Sequence, residues 1–70
     1  MNELLRKESK RILKELLSEC TEGQQLIFMR MYSSRNLELS ISDAVDQTDD
    51  NKLDLAISQV ERTVEKNKLS

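Results

Sequence analysis

The chain contains no histidine, proline or tryptophan, and only one glycine, one cysteine, one phenylalanine and one tyrosine. Each shortage removes a class of fold or function. Without histidine and with a single cysteine, a zinc site, a disulfide framework and a histidine-based acid–base or nucleophilic dyad lack their ligands or bases. The chain therefore reads as non-enzymatic, with no cofactor and no metal. The lone Gly23 cannot build a glycine-rich phosphate loop. The lack of proline and near-lack of aromatics argue against a turn-rich β domain. No apolar run approaches the roughly 18 residues of a membrane span. The start, Met1-Asn2-Glu3-Leu4-Leu5-Arg6-Lys7, runs into charge instead of a signal-peptide core. A cytoplasmic chain in a reducing compartment, with Cys20 as a free thiol and no membrane contact, is the expectation.

What is present is 70 residues, 37% hydrophobic and 34% charged, with a net charge of −2. That is enough for one helical domain over residues 1–70. Folding such a chain removes roughly 7,000 Å² from water, worth on the order of 100 kcal/mol. Ordering it costs about as much. A lone monomer is therefore marginal, and a partner or self-association is expected.

The charge is unevenly spread. Arg6, Lys7, Lys10, Arg11 and Lys14 stand against Glu8 within one short stretch, whereas Glu38, Asp43, Asp46, Asp49, Asp50 and Asp54 face only Lys52. This predicts a dipolar molecule that steers a charged partner, although charge runs in helical proteins are commonly just solvated faces.

Four helices follow from the periodicity. The first runs from Asn2 to Cys20, with Leu5, Ile12, Leu13, Leu16, Leu17 and Cys20 on one stripe, Lys7, Lys10, Arg11 and Lys14 on a ridge, and Leu4 exposed. Thr21 and Gln24 form a capping box that starts a second helix from Glu22 to about Ser34. Its centre, Leu26 to Tyr32, is apolar nearly all round apart from Arg30, so it needs cover on two or more sides. Ser33-Ser34-Arg35-Asn36 is a polar break, and Leu37 to Ile41 a short extended link. Ser40 or Ser42 caps a third helix from Ile41 to Gln47 that buries Ile41, Ala44 and Val45. Thr48-Asp49-Asp50-Asn51 supplies capping acceptors for a fourth helix, to about Lys68, with Leu53, Ala56, Ile57, Val60 and Val64 inward and Leu55 opposite. The fold class is all-α: a bundle of three to four helices, two long terminal ones around a hydrophobic second helix and a short third.

Three features bear on function. The aspartates from 43 to 54 lack the alternate spacing, central glycine and terminal glutamate of a calcium loop, so helix capping explains them. The ridge Lys7, Lys10, Arg11 and Lys14 is the only candidate for nucleic acid, and it has no interleaved aromatics for stacking. The third feature is the second helix, where Phe28 and Met31 read as core. Not all of that helix fits inside one small monomer, so part of it, with Leu4 or Leu55 nearby, makes an intermolecular contact. Phe28, Met29, Arg30, Tyr32, Arg35 and Leu55 are the candidate binding residues, with Arg30, Arg35 and Tyr32 the group for a small anionic ligand. Cys20 lies on an apolar side and reads as packing.

The stretches Thr21-Glu22-Gly23-Gln24-Gln25, Phe28-Met29-Arg30-Met31-Tyr32-Ser33 and Lys52-Leu53-Asp54-Leu55-Ala56-Ile57-Ser58-Gln59-Val60-Glu61-Arg62-Thr63 resemble small uncharacterised accessory proteins of tailed bacteriophages and prophages. The resemblance covers about a third of the chain and carries no catalytic residues over. It implies a protein that acts stoichiometrically, by binding a bacterial host or defence protein or by sequestering a small signal molecule. The leading expectation is docking on a bacterial protein through a helical surface. The alternative is a homo-oligomer that holds a small anionic ligand such as a nucleotide at subunit interfaces. Nucleic-acid binding through the basic ridge is the least supported reading.

Overall fold

A computed structural model describes residues 3–32 and 40–69. All regular structure among them is helical: α1 (Glu3–Ser18), α2 (Glu22–Tyr32), α3 (Ile41–Asp46) and, after a 3-10 turn (Asp50–Lys52), α4 (Leu53–Leu69). The two long helices at the ends and the two shorter ones between them match the bundle expected from the periodicity. The polar break, with Arg35, and residues 37–39 of the expected link lie outside the described residues; the link does not reach Ile41, which is the first residue of α3 and is capped by Ser40.

Two local signals explain where the chain turns. The backbone N–H of Thr21 donates to Gln24 Oε1 (2.9 Å) and the N–H of Gln24 donates to Thr21 Oγ1 (3.2 Å), a reciprocal capping box that starts α2. Ser40, in extended backbone, accepts from the Asp43 N–H and starts α3. The start of α4 differs from expectation. Asp49 occupies the cap position of the 3-10 turn but makes no side-chain cap bond. Thr48 instead turns inward and is buried, its hydroxyl donating to the Ala44 carbonyl (3.0 Å). That bond satisfies a polar group which would otherwise be costly to bury.

The ion pair Arg6–Asp50 ties the start of α1 to the approach to α4, and the amide pair of Gln24 and Asn67 ties the start of α2 to the end of α4. So α1 and α4 run the same way, and α2 runs back between their ends. The core is Leu13 and Leu17 from α1, Phe28, Met29 and Tyr32 from α2, Ala44 and Val45 from α3, and Leu53, Ala56, Val60 and Val64 from α4. Leu16, Cys20, Ile41 and Ile57 pack against it, half-buried.

Two placements on α1 and α2 depart from the sequence expectation. Leu5 is exposed and Ile12 borders on exposure; they sit about 80–100° round the helix from Leu13, at the rim of the stripe. On α2, Met29 is buried and Met31 is exposed, the reverse of the expected assignment. The inward face of α2 is Gln25, Phe28, Met29 and Tyr32, spaced i, i+3, i+4, i+7. Gln25 completes that face by donating from Nε2 to the Leu17 carbonyl (2.8 Å).

Candidate functional site

The inward phase of α2 fixes what its other side presents. Gly23, Leu26, Ile27, Arg30 and Met31 recur at i, i+3, i+4, i+7, i+8 and point away from the core. All five are exposed. The three large apolar side chains among them keep 43% (Leu26), 59% (Ile27) and 53% (Met31) of their area in water. The second helix therefore has an apolar face on each side, one packed and one bare.

Beside the bare face, α2 and α4 enclose a shallow groove of about 50 Å³, lined by Gln24, Ile27, Phe28, Met31 and Tyr32 from α2 and by Gln59, Val60 and Thr63 from α4. Its floor is aromatic, with the Phe28 and Tyr32 rings 5.6 Å apart and tilted. The Tyr32 hydroxyl donates to Gln59 Oε1 (2.5 Å), which ties the two helices together. At the other end, the Gln24 and Asn67 amides exchange two hydrogen bonds (3.1 and 2.9 Å). Leu55, 55% exposed, lies on the same stripe of α4 as Gln59 and Thr63, at i, i+4, i+8.

The sequence-derived binding residues divide accordingly. Phe28, Met29 and Tyr32 are interior and not surface anchors; their burial closes the core under α2. Arg30 and Leu55 are at the surface, but on different helices. Arg30 and Tyr32 do not converge, because two residues along a helix is about 200° round it. Arg35 is outside the described residues. Leu26, Ile27 and Met31, which the sequence reading did not single out for binding, are what the surface offers.

The basic ridge is largely engaged within the chain. Lys14 pairs with Asp46 (3.0 Å) and Lys10 donates to the Asp46 carbonyl (2.9 Å). Arg11 is held by Glu8 and by Glu15. Arg6, one turn earlier, meets Asp50 (3.1 Å). The expected dipole is thus partly cancelled, because folding lays acids of the 43–54 stretch on the basic stretch of α1. Of the ridge, Lys7 alone makes no such contact among the described residues. The hydrogen bond from Arg11, and then its charge, hold the Glu8 carboxyl below its usual range against the opposing effect of desolvation.

Cys20 is half-buried, its thiol directed to the Leu16 carbonyl (3.5 Å). Burial, helped by the negative charge of Glu19, pushes the thiol up, so the reactive thiolate is disfavoured. Among the described residues no three acidic or cysteine side chains gather as a metal site. No helix among them is long and apolar enough to cross a membrane. No protein-family model, no curated protein and no solved structure matches this chain.

Proposed function

We propose that this chain is a non-enzymatic binding protein that docks a bacterial protein through the outward face of α2. The observation that carries the reading is that Leu26, Ile27 and Met31 form one exposed apolar stripe on a helix whose opposite side already fills the core. Contiguous apolar surface of this kind marks interaction sites. The bacterial identity of the partner follows from the resemblance to phage and prophage accessory proteins. Supporting it, the neighbouring groove of about 50 Å³ is far below the roughly 300–1,000 Å³ of small-molecule sites. An extended protein surface suits this face better than an enclosed ligand.

The test is affinity capture from bacterial lysate with the wild-type chain and with Ile27→Asp and Met31→Asp, both at exposed positions that leave the core intact. One stoichiometric protein captured by the wild type and lost with both variants is the expected result. Equal capture by all three, or none by the wild type, overturns the reading.

A second reading is a homo-oligomer that sequesters a small anionic ligand at its subunit interfaces. One observation favours it: Arg30 stands exposed on the same face with no ion pair among the described residues. It predicts a rise in melting temperature with a panel of cyclic nucleotides that Arg30→Gln abolishes. No shift with any of them removes it.

A further inference from the structure

From the outward face of α2 we infer that a second copy of this chain is its resting occupant, the two α2 helices packing antiparallel about a two-fold axis between Leu26 and Ile27. This rests on reading that face as a docking surface. Three observations carry it independently of each other.

The first is area. The molecule measures 36 × 24 × 15 Å, flat and about two helix layers deep. It exposes 5001 Å², whereas a compact monomer of this mass exposes about 4,500 Å². The excess of roughly 500 Å² per chain approaches what each partner loses in the smaller specific interfaces. Pairing through the outward face of α2 would cover area of this order.

The second is charge. Of the exposed ionic groups on and beside the stripe, Glu22 at its start and Arg30 near its end have no partner in their own chain among the described residues. Along one helix they stand eight residues apart, about 12 Å, too far to meet. Reversing a second α2 about the proposed axis sets Leu26 against Ile27 of the second copy. It also brings Arg30 of each copy beside Glu22 of the other. The stripe is therefore self-complementary, as an isologous interface must be, and the two symmetric ion pairs specify the antiparallel direction.

The third is Gly23. Its backbone is not left-handed and a Cβ placed there meets nothing within 4 Å, so no contact inside the chain requires glycine. A glycine within a helix is nonetheless unfavourable relative to alanine. In the proposed pairing Gly23 lies opposite Arg30 of the second copy, and the missing side chain leaves room for the arginine stem on its way to Glu22.

The decisive measurement is the molar mass of the full chain by light scattering or sedimentation, from low micromolar to about 1 mM. The expected mass climbs from 8.1 kDa to twice that, with a midpoint in the micromolar range that an interface of this size supports. Ile27→Asp weakens association at least about 100-fold while leaving helix content unchanged. Arg30→Glu and Glu22→Arg each weaken it about 10-fold, and the double variant restores it to within about threefold. A mass fixed at that of one chain throughout overturns the inference, as does a dimer indifferent to Ile27→Asp or a double charge swap without rescue. A monomeric chain whose partner capture still depends on Ile27 sinks the dimer and leaves the proposed function standing. A dimer with these properties that captures nothing does the opposite.

Discussion

The basic side of α1 and the outward side of α2 are both solvent-facing, yet they differ in what folding leaves unsatisfied. On α1 the charges look functional in the sequence and turn out to be largely engaged at home: Arg6 with Asp50, Lys14 with Asp46, Arg11 with Glu8 and Glu15. On α2 the sequence shows more apolar surface than one monomer can cover without fixing which residues are left over, and Leu26, Ile27 and Met31 turn out to be the bare ones. Exposed ion pairs bring little stability, because water already solvates both partners. An exposed apolar stripe leaves a hydrophobic gain unrealised until something covers it. Conspicuous charge is thus a poor guide to what folding leaves unsatisfied here, and leftover apolar area a better one.

The sharpest way to break that comparison is to truncate neighbours on opposite sides of α2. Phe28, 3% exposed, loses its contacts with the core on Phe28→Ala, at an expected cost of about 3–5 kcal/mol. That is a large share of the stability of a domain this small. Ile27→Ala, one residue away on the bare side, should change stability by no more than about 0.5 kcal/mol. Urea unfolding at a concentration low enough to keep the chains apart measures both. Similar losses for the two variants would mean that the outward face is already packed within a single chain, and the contrast between the two helices would disappear.

Much of this arrangement is legible in the sequence, and the parts that are not have physical reasons. The caps at Thr21 and Ser40 announce themselves through short-range chemistry, since each depends only on residues three apart. The α4 stripe is readable because polar residues flank it. The phase of α2 is not, because its only charged residue at the centre is Arg30. Met29 and Met31 flank Arg30 at about 100° to either side, so its polarity cannot choose between them. Gln25 held the missing information: a glutamine one turn before Phe28 that bonds to the Leu17 carbonyl marks the inward side. The pairing of Asp46 and Asp50 with α1 depends on contacts 32 to 44 residues apart, which no local pattern encodes. Thr48 is hidden for a different reason: its contact is local, but the same hydroxyl can cap a following helix or bond back to the carbonyl four residues earlier, and here it does the second.

A smaller effect sharpens the α1 side of the comparison. Lys14 and Asp46 keep 37% and 54% of their side-chain area exposed, so their attraction is screened. Asp46→Asn should cost less than about 1 kcal/mol at low ionic strength, and the loss should vanish in about 1 M salt. Lys10 is insensitive to this change, because it is held by the Asp46 backbone carbonyl and not by the carboxylate. A loss of several kcal/mol that persists in high salt would instead make this contact part of the structural core.

The smallest effect lies at the junction of the two regions, where Cys20 ends the α1 stripe. Its thiol is pushed up first by burial and then by the charge of Glu19. The folded chain therefore keeps the proton to higher pH than the unfolded chain does. The stabilisation is fully present below the unfolded thiol value of about 8.5 and is lost as pH climbs through the raised folded value. Glu8, lowered chiefly by the Arg11 hydrogen bond, works in the other direction. Its contribution is present above the ordinary carboxylate range and is lost as pH falls through the lowered folded value. The urea midpoint of the wild type should accordingly fall slightly more steeply between about pH 8 and 10 than that of Cys20→Ala. Arg11→Gln should remove part of the decline on the acid side and leave the alkaline limb alone. A Cys20→Ala profile parallel to the wild type at high pH would mean that the thiol titrates as it does in water. The packing at the turn from α1 into α2 would then be looser than the contact of Cys20 with Leu16 describes.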